Sequence, residues 1–582
     1  MSGRHQADAL NFIMATSSSF LHSFGRTPAS AITPVLLCLV LVLAVLPPAR
    51  LLLLALMDLP AGDQGAMWSM LSNPSTWRAT GNSLLTSGLA TLLSVLLGTI
   101  LALLVTLTDI RAKGFWVFMI MLPMMIPPQV TALSWLQLSG PGSALLQMLD
   151  LAPALGSPQH LRSWWGISLL MGIQHAPLVY LALRSSLMAL PKELIEAARL
   201  AGASQRDVVR DMILPLCRNG LLAGAAIAFV SALGNFGIPA MLGIPVSYYV
   251  LPTLIYQKMA DFGPDMLADV SSLSVMIGVV ALVGVIAQQR FSANMPLTGM
   301  PGRPLAFSLG PARWKAELAL LLLVLVIVVV PLIALVSSSL VAAMGVPLTL
   351  ETASLNAYEQ IIFHQSVTFR AFSNSTLLAA SAALILACLC LPMGYLFVRF
   401  PSRVNTVLQG IIDVPYAIPG VVLAVACILL FARPLPLIHV TLYGSLGLIL
   451  FAYLSRFMTV CLKPIQSSML QLDPALEEAA QLCGAGPLRR LRDIVFPLLA
   501  PAAFAGMLLV FLIAINELTV SALLWSAGNE TLGVLVFNLD DGGETVLASA
   551  VAVLIVLMVL VLMLCLSALG KRLPQGVIPW RN

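Results

Sequence analysis

The side chains able to do chemistry stand out in this chain because they are scarce. Only 9% of its 582 residues are charged, against 59% hydrophobic, and a polar group inside an apolar run is expensive unless it has a task. Glu517, beside Asn516, is the clearest such group; Asn235 holds the corresponding place in the first half, and His175 and Arg456 lie near two further runs. Such groups either line or gate a pathway, or fix helix packing through interhelical hydrogen bonds. Pro127 and Pro419 each follow another proline, Pro123 and Pro415, by four residues, which suits either a kink at a gate or local packing. Other chemistry is thinly represented. No His/Asp/Tyr cluster has metal-ligand spacing, and the eight cysteines form no C-x-x-C pair, so no metal site is expected. Cys388 and Cys390, inside an apolar run, read as small helix residues. The chain lacks G-x-x-x-x-G-K-[ST]; no catalytic residue and no cofactor of its own is expected.

A second polar feature occurs twice. From Leu194 the chain reads L-I-E-A-A-R-L-A-G-A-S-Q-R-D-V-V-R-D-M-I-L-P-L, and from Leu476 L-E-E-A-A-Q-L-C-G-A-G-P-L-R-R-L-R-D-I-V-F-P-L. Glu196, Ala197, Ala198, Gly202, Arg210, Asp211 and Pro215 match Glu478, Ala479, Ala480, Gly484, Arg492, Asp493 and Pro497 without a gap. Asp473-Pro474 reads as an N-cap followed by a first-turn proline, and Pro191 takes the proline's part in the first copy. Each island predicts a short helix, a bend at Gly in the left-handed conformation, and a second amphipathic helix near the membrane surface. A lone island would suit an interfacial helix without a partner. Two in one register imply a partner with two equivalent docking surfaces.

The elements that must hold these residues are membrane helices. Soluble domains carry about 25% charged residues, and the apolar stretches here are long enough to cross a bilayer as helices. Twelve candidate spans fall at roughly 33–57, 83–107, 115–138, 165–185, 219–242, 269–288, 317–339, 375–397, 407–431, 441–462, 499–525 and 546–570. The first is interrupted by Pro47, Pro48 and Arg50. The polar, Ser-rich start lacks the order of a removable signal, so the first span is expected to act as an uncleaved anchor. The formal charge of +5 reflects short basic loops rather than nucleic-acid binding. Those loops, with Arg111, Lys113, Arg290, Arg313, Arg399 and Lys571, place both termini in the cytoplasm. Asn82-Ser83 and Asn374-Ser375 open matching spans. Six spans per half make the repeats parallel, so both islands face the cytoplasm. The predicted organisation is a cytoplasmic segment 1–32, a first repeat 33–288, a Pro- and Gly-rich linker 289–316, a second repeat 317–570 and a tail 571–582.

E-A-A-x-x-x-G with Pro thirteen residues after the Gly resembles the cytoplasmic loop of permease subunits in bacterial ABC importers. Together with D-V-P-Y-A-I-P-G from Asp413 and N-E-L-T-V-S-A-L-L from Asn516, nearly the whole chain is similar to the fused permeases of the ferric-iron importer family. The thiamine, 2-aminoethylphosphonate, sulfate and polyamine permeases have similar loops. The resemblance implies an all-α type I importer permease fold in the bacterial inner membrane. It implies two coupling helices, with Glu196 and Glu478 as docking residues and Gly202 and Gly484 as bends. The implied partners are two cytoplasmic ATPases, which bind ATP and Mg, and a periplasmic substrate-binding protein. Arg199 is replaced by Gln481, and Ala203-Ser204-Gln205 by Ala485-Gly486-Pro487, so the two contacts need not be equal. A proton-coupled secondary transporter using Glu517 is the competing expectation; it leaves the paired loops unexplained.

Overall fold

The computed structural model describes residues 28–58, 65–154, 156–261, 266–293, 307–432 and 441–569. Most of the expected N-terminal segment, the middle of the linker and the tail lie outside the described residues. In the first half the principal helices are α1 (Pro34–Met57), α2 (Pro74–Leu107), α3 (Lys113–Met125), α4 (Pro128–Ser139) and α5 (Trp164–Met188). They continue with α6 (Lys192–Leu200), α7 (Arg218–Leu233), α8 (Gly237–Gly243), α9 (Leu251–Met259) and α10 (Met266–Ala293). The second half repeats the series as α11 (Gly310–Ser339), α12 (Ser366–Arg399), α13 (Arg403–Ala417), α14 (Gly420–Phe431) and α15 (Leu446–Gln471). It closes with α16 (Ala475–Leu482), α17 (Phe496–Ile515), α18 (Ser521–Leu524), α19 (Leu532–Asp541) and α20 (Thr545–Leu569).

Among the described residues nine helices are long and apolar enough to cross a bilayer, and four bent pairs raise the total to 13. Each of the twelve expected stretches is helical, with two corrections. The third and ninth are not single rods: the chain turns by 97° between α3 and α4 and by 105° between α13 and α14. The cause is Pro127 and Pro419. Ile126 and Ile418, which precede them, are extended, as the residue before a proline prefers, and each proline becomes the N-cap of the next helix. The fifth and eleventh stretches end early, at Leu233 and Ile515, and the chain then folds back through α8–α9 and α18–α19. Four other prolines are accommodated differently. The π turns Leu41–Val45, Val208–Ile213, Leu325–Val329 and Leu491–Val495 lie just before Pro47, Pro215, Pro331 and Pro497. A wider turn relieves the carbonyl that a proline ring would strike.

The two halves are interlocked. α2 lies along α5, and α7 packs on both; α12, α15 and α17 form the matching trio. The broken segments cross over: α14 is enclosed by α1, α9 and α10 of the first half, and α4 by α11, α19 and α20 of the second. Ser455 Oγ donates to Leu43 O at 2.7 Å, tying α15 to α1 across the halves. The Asn-Ser pairs that marked the repeat hold the folded-back segments in place. Asn82 Nδ2 donates to Tyr249 O (2.8 Å) and Ser83 Oγ accepts from Leu251 N (2.7 Å). In the second half Asn374 Nδ2 donates to Glu530 O (3.0 Å) and Ser375 Oγ accepts from Leu532 N (2.9 Å).

Candidate functional sites: paired loops and a polar seam

Each loop is built as its sequence predicts up to the bend. α6 and α16 end in the same cap. Ala203 N donates to Ala198 O and Ala201 N to Ala197 O, both at 3.0 Å; Ala485 N donates to Ala480 O (2.9 Å) and Cys483 N to Ala479 O (3.1 Å). Both caps need a left-handed residue, supplied by Gly202 (φ 89°) and Gly484 (φ 79°). Pro191 and Pro474 stand as N-caps rather than as first helical residues. Asp473 therefore stands one residue before the N-cap, and from there its Oδ1 still accepts from Ala475 N at 2.9 Å. Glu196, Ala197, Glu478 and Ala479 are exposed. Leu200 and Leu482, in equivalent positions, stand 90% and 89% exposed.

The loops are anchored by different means. Under α16, Glu477 is buried, where Arg399 Nε donates to its Oε1 at 2.8 Å and Tyr395 OH to its Oε2 at 3.1 Å. In α6 the same register position is Ile195, which packs into the core. α6 instead carries a strap from the end of the linker. Phe307 pairs with the end of α2, its N donating to Leu107 O (2.6 Å) and its O accepting from Asp109 N (3.2 Å). The Arg199 guanidinium lies over the Phe307 ring, 4.7 Å from its centroid. Asp109 locks the strap by accepting from Leu309 N (2.9 Å) and from Arg313 Nη2. The Arg313 hydrogen bond, more than any other influence, holds the Asp109 carboxyl below the usual carboxylate range. A lowered carboxyl contributes above its unfolded value of about 3.9 and loses that contribution as pH falls through the lowered value. Acidification from neutrality to about pH 5 should therefore leave the strap attached. Asp109→Asn should loosen it, read as faster amide exchange over 307–313 with no change over 473–486.

The polar residues of the spans meet where the halves touch. Asn235 and Glu517 sit at the two early breaks and play one part. Asn235 Oδ1 accepts from Ile238 N (3.2 Å) and Glu517 Oε1 from Val520 N (2.9 Å). Asn235 Nδ2 also donates to Gln174 Oε1 at 2.9 Å. The register that pairs Asn235 with Glu517 pairs Gln174 with Arg456. Asn516 Nδ2 donates across the halves to Met125 O at 3.3 Å. A Cβ on Gly234 would sit 3.4 Å from Pro419 Cα, and one on Gly237 would meet Gln129 N at 3.0 Å. Pro127, Pro419, Asn235, Asn516 and Glu517 thus belong to one seam. His175 is buried in α5, one residue past Gln174. The sequence reading missed Gln129, which is fully buried with Nε2 and Oε1 both unpartnered among the described residues. It also missed Gln174, which the offset between the repeats would have revealed opposite Arg456.

Two interlocked helical halves, each with an exposed helix-Gly-helix loop and joined at a polar seam, suit a membrane permease. The chain belongs to the family described as the inner membrane component of binding-protein-dependent transport systems, whose profile matches it twice, over 94–295 and 390–579. It is a fused permease carrying both halves of an ABC importer's membrane unit. That assignment sets aside the secondary transporter. It is 26% identical over 437 residues to the "Probable ABC transporter permease protein y4fN" of Sinorhizobium fredii, covering 73% of this chain and 75% of that one. It is 25% identical over 479 residues to the ferric transport system permease protein FbpB of Actinobacillus pleuropneumoniae, covering 81% and 68%. A probable molybdenum ABC transporter permease of Haloferax volcanii is 30% identical over 219 residues, 37% of this chain and 77% of its own length.

Proposed function

We propose that this chain forms the whole transmembrane path of an importer and that its two loops, both cytoplasmic, are worked by two copies of a separate ATPase. ATP and Mg belong to those subunits, and this chain supplies no step of hydrolysis. The observation that carries the reading is the pair of identically capped loops, each offering an exposed Glu-Ala pair and an exposed leucine to the same kind of partner. Glu196 and Glu478 are the docking carboxylates, and Leu200 and Leu482 fill apolar sockets beside them. Closure of the ATPases draws the loops together, the halves rock, and the seam changes the side to which it opens. A loaded periplasmic binding protein docks on the opposite face.

The test is Gly202→Val and Gly484→Val, singly and together. No atom lies within 4 Å of a Cβ at either glycine, so the change acts only through the left-handed backbone, at about 1–2 kcal/mol each. Each should reduce ATPase co-purification and uptake, and the double variant should abolish uptake. Normal values for both measurements would remove the coupling role. The names of the FbpB relatives support ferric iron as the solute, and the molybdenum relative supports an oxyanion. Competing uptake of labelled ferric citrate, molybdate and 2-aminoethylphosphonate in a deletion strain decides between them.

A further inference from the structure

The seam holds a positive group with no ion-pair contact among the described residues. Arg456 Nη1 is buried and unpartnered among the described residues. It occupies the space a side chain at 420 would need, 1.8 Å from the position of a Cβ on Gly420. Gly420 opens α14, a twelve-residue helix behind Pro419, so the guanidinium lies beside the positive end of a helix. Packing alone would not favour placing like against like. The first half, with Gln174 in this register, does not do so. Glu517 is near enough to share the electrostatic environment of Arg456 around Tyr416 and Tyr453. Its Oε1, however, is taken by Val520 N.

Residues 516–519 link this point to the other half. Asn516 reaches Met125 O, Leu518 lies with Gln129 around Gly533, and Thr519 Cγ2 is 2.9 Å from the position of a Cβ on Gly420. Gln129 is the second residue of α4, the other broken helix, and its carboxamide is fully buried and unpartnered among the described residues. Arg456 at the N-terminus of α14 and Gln129 at the N-terminus of α4 thus lie beside successive residues of one stretch, Thr519 and Leu518. The N-terminus of a broken membrane helix with a buried, unpartnered guanidinium nitrogen beside it suits negatively charged oxygen.

We propose that the Arg456 guanidinium at the start of α14 marks a station for a tetrahedral oxyanion group on the transported solute, with Arg456 as its charged contact. The proposal rests on the seam being the transport path. It predicts a phosphate-, phosphonate- or molybdate-like solute, or a metal travelling within an anionic complex, in preference to a bare cation.

The test is phenylglyoxal modification of the full chain, purified with its ATPase in nanodiscs, at rest and trapped with ATP and vanadate. Mass spectrometry reads the Arg456 peptide, and Arg456→Gln assigns the signal. Inorganic phosphate at about 10 mM should slow modification about tenfold if its dissociation constant is about 1 mM, and chloride at equal strength should not. Modification that proceeds equally fast with phosphate would overturn the oxyanion station and leave the path intact. An Arg456 that is unmodified in both states would overturn the station and the placement of the path together.

Discussion

Glu477→Ala is expected to be the most damaging single change in the paired loops, although Glu478 is the residue that matches the loop motif. Glu477 and Arg399 have side chains only 10% and 17% exposed and are joined at 2.8 Å. Removing one partner of such a buried pair strands the other charge, at about 3–5 kcal/mol. Arg399 also donates to Leu472 O at 3.0 Å, so its release frees the entry to α16 as well as its underside. Thermal unfolding in nanodiscs should shift down, and ATPase co-purification should fall. The first half supplies the control. Leu107 and Ile195, both buried, occupy the register positions of Arg399 and Glu477. The double change Arg399→Leu with Glu477→Ile transplants that apolar arrangement and should recover most of the loss, because apolar replacement of a whole buried pair is often neutral or stabilising. A double variant as unstable as Glu477→Ala would show that the carboxylate does more than anchor.

The second large effect is expected at Gln129, with opposite signs for stability and transport. Two unpartnered polar atoms in a buried carboxamide cost about 1–3 kcal/mol each. The corresponding residue of the second half is Val421, equally buried. Gln129→Leu keeps the volume and removes both polar atoms, so the melting temperature should rise. Uptake should fall, since the seam loses a polar contact that the resting state does not use. Unchanged uptake with raised stability would assign Gln129 to packing alone.

The repeat was legible because the two loops keep one register, and the same offset places Asn235 opposite Glu517. The spans were legible because hydropathy is strong. The breaks were not: Gly237-Ile-Pro-Ala-Met is as apolar as the helix before it, so nothing in its hydropathy marks the chain turning back. The contact between Gly234 and Pro419 that accompanies this turn is made 185 residues away along the chain. Gln129 follows Pro127-Pro128 and matches Val421 in the second half, so the repeat supplies no polar counterpart to mark it. Glu477 was hidden by its neighbour, since adjacent acids on a helix point in different directions and only the fold tells which one is covered. Phe307 lies in a stretch whose prolines and glycines read as linker, yet it packs under Arg199.

The crossing of α4 and α14 into opposite halves has a mechanical consequence. Each half holds a piece of the other, like two hands clasped at the fingers, so neither can tilt without dragging its neighbour's broken helix. A pull on one loop is then felt in both halves at once. A single covalent tether across either flank should freeze both.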